Sequence, residues 1–186
     1  MAKVLYSATM SLDGYIAGPG GDMSWLRPYL QPNPPVEQLQ REIGALLVGG
    51  RTHRGDDPHR GTDREGAFEG TWDGPVFVVT RQPSADEENL RFLPDPRAGL
   101  SAAKAAAADG YVNVLGAELA RECLDLGAVD EVLTIIAPVL LGGGTPLFAH
   151  PQGRQVRLER LRVDVLPHVI NVWHRVVRDV SPSSRG

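Results

Sequence analysis

Residues 4–26 read VLYSATMSLDGYIAGPGGDMSWL, and this stretch decides the fold that we expect for the chain. Residues 4–9 are apolar or small, which is typical of a short buried strand. Asp13-Gly14 then predicts a turn, and residues 15–17 return to apolar character. Three glycines within residues 18–25 predict a flexible loop that ends at a tryptophan.

Length and composition indicate one globular domain. The chain has 186 residues, of which 42% are hydrophobic, and this suffices for a proper core. Its net charge of −4 argues against nucleic acid as the main partner. The start lacks a signal-peptide pattern, and no apolar run approaches the roughly 18 residues that span a bilayer. We therefore expect a soluble, cytoplasmic domain over residues 1–180 that binds no membrane, with a disordered tail at 181–186.

Strands alternate with helical segments along the rest of the chain, as in α/β domains. Residues 53–74 are rich in Gly, Asp, Arg and Pro and predict a surface excursion without regular structure. We expect the last two strands to form an antiparallel hairpin across Pro167-His168. The predicted helices are 35–43, 98–109 and 118–126, and the predicted strands are 45–48, 75–80, 111–115, 132–136, 155–166 and 169–180.

The order of these features resembles the dihydrofolate reductase-like fold, in particular the branch that includes the reductase domain of riboflavin biosynthesis. The resemblance covers residues 3–178 and includes the block at 138–148, which reads PVLLGGGTPLF. It implies a three-layer α/β fold with a mixed central sheet and a C-terminal antiparallel hairpin. It also implies an NADPH-dependent reductase that acts on a small heterocycle and pairs as a homodimer.

A strand-to-helix junction at residues 115–119 is a candidate phosphate site. Glycine lets a phosphate approach the backbone, and the free N–H groups of a helix start bind its charge. The spacing is neither that of a dinucleotide-binding fingerprint nor that of a P-loop, so a purely structural turn remains the alternative. The resemblance assigns the cofactor pyrophosphate to this turn, which comprises Leu115, Gly116, Ala117, Glu118 and Leu119.

Two further junctions match the cofactor-binding positions of the resembled family. Gly49, Arg51 and Thr52 follow the pattern in which an arginine and its neighbours contact phosphates, although Gly50 stands where the first basic residue is expected. In the relatives, the positions of Thr80 and Arg81 meet the adenosine ribose and its 2′-phosphate. Arg81 is a candidate for the charge that Gly50 lacks, and the preference for NADPH over NADH stays open.

The opening stretch supplies the residues expected around the reaction. The resemblance implies that Ala8, Ile16 and Ala17 shape the nicotinamide pocket and that Trp25 flanks the substrate. It places Asp13 on the ribose side of the substrate, and Asp13 and Trp25 are the candidate catalytic residues. From the residues alone, Asp13 is equally a turn residue that bonds its own backbone.

Departures from the family pattern keep three functions open. Riboflavin-pathway reductases carry a base where this chain has Tyr15, and dihydrofolate reductases carry an acid soon after the loop tryptophan, where this chain has none before Glu37. The leading hypothesis is an NADPH-dependent reductase of a pterin- or aminopyrimidine-type heterocycle. The alternatives are a reductase of the riboflavin precursor 5-amino-6-ribosylaminouracil phosphate and a non-catalytic nucleotide-binding module. We expect no metal, because the His and Asp residues at 53–59 match no closed site.

Overall fold

The computed structural model of the chain describes residues 1–55 and 57–178. The predicted tail at 181–186 and the last two residues of the strand predicted at 169–180 lie outside these ranges. The strands are β1 (Lys3–Ser11), β2 (Tyr15–Ala17), β3 (Ile43–Gly49), β4 (Val76–Val79), β5 (Leu90–Leu93), β6 (Tyr111–Leu115), β7 (Glu131–Ala137), β8 (Thr145–Pro146), β9 (Leu158–Val165) and β10 (Ile170–Val176). The α-helices are α1 (Pro34–Gln40), α2 (Gly50–His53), α3 (Pro96–Ala107) and α4 (Ala117–Asp125), and short 3₁₀ helices occupy Pro19–Gly21 and Ser24–Tyr29.

The main sheet has eight strands in the order β5-β4-β3-β6-β1-β7-β10-β9. Neighbouring strands from β5 to β7 are parallel, whereas β10 is antiparallel to both β7 and β9. The predicted mixed sheet with a C-terminal antiparallel hairpin is therefore confirmed. Since parallel strands need crossover connections, the helices lie on the two faces of the sheet.

Two apolar clusters give the three layers. Tyr6 and Leu47 belong to the cluster that packs one face of the sheet against α3 and α4. Leu5 and Leu46 belong to the other cluster, which includes α1 and the segment around Trp72. Successive residues of a strand point to opposite faces, so β1 and β3 each contribute to both clusters.

Helix α4 has one apolar face that is buried. Leu119, Ala120, Cys123 and Leu124 recur at helical spacing and are all buried. The helix is followed by Gly127, whose φ of +65° is the left-handed conformation that commonly ends a helix. Burial raises the pKa of the Cys123 thiol to about 12.

Several predicted boundaries were wrong. Helix α1 ends at Gln40, not at Ile43, because Ile43 is buried as the first residue of β3. Helix α3 ends at Ala107, not at Asp109, because Ala108 takes a non-helical φ of +52°. Strands β5 and β8 were not predicted, since β5 is a four-residue edge strand and β8 has only two residues. Within the described ranges, no helix is both long and apolar enough to cross a membrane.

Candidate functional site

A cleft of about 1720 Å³ opens at the carboxyl ends of the parallel strands. Strands β3, β4 and β6 end there, at Gly49, Val79 and Leu115. In open α/β sheets, ligands bind outside these strand ends. The cleft brings together every residue predicted to bind the cofactor, namely Ala8, Ile16, Ala17, Gly49, Arg51, Thr52, Thr80, Arg81, Leu115, Gly116, Ala117, Glu118 and Leu119.

The turn between β6 and α4 has no room for a side chain. Gly116 has a φ of +105°, which side-chain-bearing residues rarely adopt, and a Cβ atom there would lie 2.3 Å from Thr52 Oγ1. No side chain caps the start of α4. The first N–H groups of this nine-residue helix therefore lie at the cleft wall without a side-chain acceptor.

An ion pair crosses the same end of the cleft. Arg51 Nη2 donates to Glu118 Oε2, and both side chains are largely exposed. The two residues come from α2 and from the first turn of α4, which the sheet brings together across 67 positions of sequence. The charge of Arg51 is thus already balanced within the protein.

Gly50, the residue directly after β3, is also crowded. A Cβ atom at Gly50 would lie 2.8 Å from both Cβ and Oγ1 of Thr80. Arg54, which the sequence analysis passed over, lines the cleft here and donates from Nη1 to Thr80 Oγ1 at 3.4 Å. Its position four residues after Gly50, and so one helical turn away, is the sequence signal that could have revealed it.

Asp13 does not line the cleft. Its carboxylate accepts hydrogen bonds from the Ser11 hydroxyl at 2.5 Å and from the backbone N–H groups of Leu141 and Gly142 at 3.1 and 2.7 Å. The hydrogen bond from Ser11, helped by these two backbone bonds, holds the pKa of the Asp13 carboxyl below its usual range. This geometry favours a role in fixing the loop and gives no support to a catalytic one.

Trp25 also lies outside the lining of the cleft, but its neighbour Tyr29 is part of it. The two rings are 6.3 Å apart between centroids, so Trp25 packs against the residue that faces the cleft. Glu37, the nearest acid after the tryptophan, is exposed and accepts a hydrogen bond from Asn33 N at 3.1 Å. Its carboxylate serves the start of α1 and does not line the cleft.

Part of the cleft wall comes from residues 57–69 of the predicted surface excursion. Asp57 accepts from the N–H groups of His59 and Gly66 at 2.7 and 3.0 Å, which holds this segment in a turn. His59 Nε2 is buried and has no hydrogen-bond partner in the described structure. His59 also contributes to the lining of the cleft, so this unpaired nitrogen lies in the cleft wall. Nowhere in residues 1–55 and 57–178 do three or more His, Cys, Asp or Glu side chains gather as metal ligands would.

A polar pair lies in the floor of the cleft. Ser7 lines the cleft, and its hydroxyl donates to Asn113 Oδ1 at 2.8 Å. Asn113 is fully buried, and its Nδ2 has no partner in the described structure. An unpaired buried donor costs free energy, so the pair stands out in an otherwise apolar layer.

Known proteins resemble this chain in sequence or in fold. The Bacillus subtilis (strain 168) protein YwjB is 27% identical over 154 residues, covering 78% of this chain and 81% of YwjB. A solved structure described as a putative riboflavin biosynthesis protein from Shewanella sp. PV-4 has a TM-score of 0.76 at 21% identity, covering 96% of this chain and 100% of that one. The Saccharomyces cerevisiae riboflavin biosynthesis reductase Rib7 has a TM-score of 0.61 at 17% identity, covering 95% of this chain and 90% of that one.

These likenesses confirm the dihydrofolate reductase-like fold that was inferred from residues 4–26 and the later blocks. The sequence profile of the RibD C-terminal domain matches residues 2–172, which is nearly the whole chain. The chain therefore belongs to the RibD C-terminal domain family.

Proposed function

We propose that the protein is an NADPH-dependent reductase that transfers hydride to a planar nitrogen heterocycle of pterin or aminopyrimidine type. One observation carries the proposal: all the residues predicted to bind the cofactor, which lie far apart in sequence, line one cleft at the carboxyl ends of the strands. Membership of the family and the similarity to the reductase Rib7 support the same reaction class.

The cleft offers hydrogen-bond donors that suit the phosphates of the cofactor. The bare backbone at Gly116 and the uncapped start of α4 offer N–H groups to a pyrophosphate. Thr52 stands beside this turn, while Thr80 and Arg81 line the cleft at the end of β4. Bound there, NADPH supplies the hydride.

The remaining cleft residues position the reactants. Ala8, Ile16 and Ala17 give a small apolar surface for the nicotinamide, and Tyr29 gives a ring against which a planar substrate packs. The only imidazole that lines the cleft in the described structure is that of His59, whose buried Nε2 is without a hydrogen-bond partner there. In this mechanism the residues act mainly by orienting the two reactants.

Cofactor binding is the first test. NADPH and NADH are titrated into the purified protein while the fluorescence of the reduced nicotinamide is followed, and NADPH oxidation is then measured with a panel of pterins and aminopyrimidines. We expect saturable binding and oxidation with at least one member of the panel. If neither nucleotide binds, the reductase proposal fails.

Two alternatives are separated by the same panel. Oxidation only with a phosphorylated ribosylaminouracil would favour the riboflavin precursor. Binding without turnover across the panel would favour a non-catalytic nucleotide-binding module. The second alternative has support in the structure, because neither Asp13 nor Trp25 lines the cleft.

We also propose that two copies pair through the outer face of β9 and β10. The pairing places Val165 opposite Ile170 and Leu158 opposite Val176, on one face of the sheet. Leu158, Val163, Val165 and Ile170 are between 41% and 78% exposed, which is unusual for neighbouring apolar side chains. Light scattering should show a dimer for the wild-type chain and a monomer for Val163→Glu. A wild-type monomer at micromolar concentration would refute the pairing.

A further inference from the structure

Gly50 occupies a closed position. Because a Cβ atom there would lie 2.8 Å from Thr80 Cβ and Oγ1 and 3.3 Å from Val79 O, no longer side chain fits unless Thr80 moves. Any positive charge at this end of the cleft therefore comes from residues other than Gly50. The neighbouring Arg51 does not supply it freely, since it is paired with Glu118.

Arg54 reaches the same place from the next turn of the chain. Its backbone N–H donates to Gly50 O at 3.3 Å, so it follows Gly50 by one turn. Its guanidinium donates from Nη1 to Thr80 Oγ1 at 3.4 Å. The Arg54 guanidinium therefore lies at the same Thr80 hydroxyl that crowds Gly50.

The charges around Thr80 are unbalanced. Neither Arg54 nor Arg81 forms an ion pair with any other residue that the structure describes, and both line the cleft. Thr80 Oγ1 accepts from Gln82 N at 3.2 Å and from Arg54, which leaves its own proton free to donate. The Arg54 guanidinium and the Thr80 hydroxyl, with Arg81 following in the same cleft lining, offer donors that suit a phosphate monoester dianion.

We infer that Arg54 is the specificity-determining residue that recognises the 2′-phosphate of the cofactor, replacing the side chain that Gly50 cannot carry. The inference rests on the proposed function, because it places the adenosine end of the nucleotide at Thr80. It goes further in naming a residue outside the expected set and in predicting a preference for NADPH over NADH.

The test compares Arg54→Ala with wild type in fluorescence titrations of NADPH and NADH. We expect the affinity for NADPH to fall about 10- to 100-fold, as for loss of a hydrogen-bonded charge, while the affinity for NADH changes by less than about twofold. Arg54→Lys keeps the positive charge but loses the planar guanidinium, so its affinity for NADPH should lie between those of wild type and Arg54→Ala. Arg97→Ala removes an exposed arginine of α3 that does not line the cleft, and is the matched control.

Competition by 2′-AMP and 5′-AMP gives a second readout. Wild type should prefer 2′-AMP, and Arg54→Ala should lose that preference. Unchanged selectivity in Arg54→Ala, or an equal loss for NADPH and NADH, would overturn the role of Arg54 while leaving the reductase proposal intact. If wild type binds neither nucleotide, the proposed function fails and the inference fails with it.

Discussion

The carboxylate of Asp13 accepts the backbone N–H of Gly142 at 2.7 Å, across 129 positions of sequence. This bond and its neighbour at Leu141 attach the turn after β1 to the glycine-rich loop after β7. The same two regions also pair as β2 and β8. Asp13 therefore belongs to a second, smaller junction beside the cleft, and its sequence neighbours Ile16 and Ala17 reach the cleft wall from there.

Removal of this carboxylate should loosen the loop. In Asp13→Ala we expect the amides of Leu141 and Gly142 to exchange with deuterium several-fold faster than in wild type, because their acceptor is lost. Asp22→Ala is the control, since Asp22 bonds Ser24 N in a neighbouring loop. Unchanged exchange at both amides would show that the loop is held by other contacts.

Gly116 should tolerate no side chain. Gly116→Ala forces a strained φ and a contact with Thr52 Oγ1, so we expect a loss of about 1–3 kcal/mol in the free energy of unfolding and weaker NADPH binding. Gly143→Ala is the matched control, because a Cβ atom there meets nothing within 4 Å. Urea unfolding and nucleotide titration measure the two effects. Equal behaviour of the two variants would contradict the crowding argument.

The effects of replacing Ser7 and Asn113 on the free energy of unfolding should not be additive. Ser7→Ala leaves the buried Asn113 amide without its partner and should cost about 1–3 kcal/mol. Replacing both residues, as Ser7→Ala with Asn113→Leu, should restore stability to nearly the wild-type value, since no polar group is then left unpaired. Urea unfolding of the four chains completes the cycle. Additive losses would show that the pair is not coupled.

The environment of the Glu131 carboxylate predicts how the stability of the fold depends on pH. Burial opposes the charge of this residue most strongly, but hydrogen bonds from Lys3 Nζ, Trp173 Nε1 and Tyr111 OH outweigh it and hold the Glu131 pKa below its usual range. A lowered folded-state pKa stabilises the fold at neutral pH, and this contribution is lost as the pH falls through that pKa.

Glu131→Gln should therefore cost about 1–3 kcal/mol at about pH 7, and the difference from wild type should shrink towards about pH 3. Urea unfolding at both pH values tests this. A gap that stays constant with pH would mean that the charge of Glu131 does not contribute.

Local sequence patterns predicted most of the fold. β6 was predicted with its observed ends. Tyr111–Leu115 is a short run of mostly strand-favouring residues, directly preceded by Gly110 and followed by Gly116. β5 and β8 were missed because their short runs carry little periodic signal, and their identity as strands comes from pairing with β4 and β2. The end of α1 was misplaced because Ile43 suits either element, and burial in the sheet decides between them.

The candidate site, like the fold, was predicted only where the signal is local in sequence. The glycine turns that face the cleft were recognisable from short motifs next to predicted strands. The partners of Asp13 and Glu118 were not, because each hydrogen bond joins segments that only the folded sheet brings together. Arg54 was overlooked for a related reason, as its significance depends on the space that Thr80 occupies beside Gly50.

Cys123, the only cysteine in the sequence, can be used to measure how often α4 detaches from the sheet. Because Cys123 is completely inaccessible in the folded protein and its thiol ionises only in strongly alkaline solution, a thiol reagent reacts with it only after α4 leaves the sheet. Labelling rates of the unmodified protein, with and without a nucleotide in the cleft, would then measure how far occupancy of the start of α4 slows the detachment of that helix.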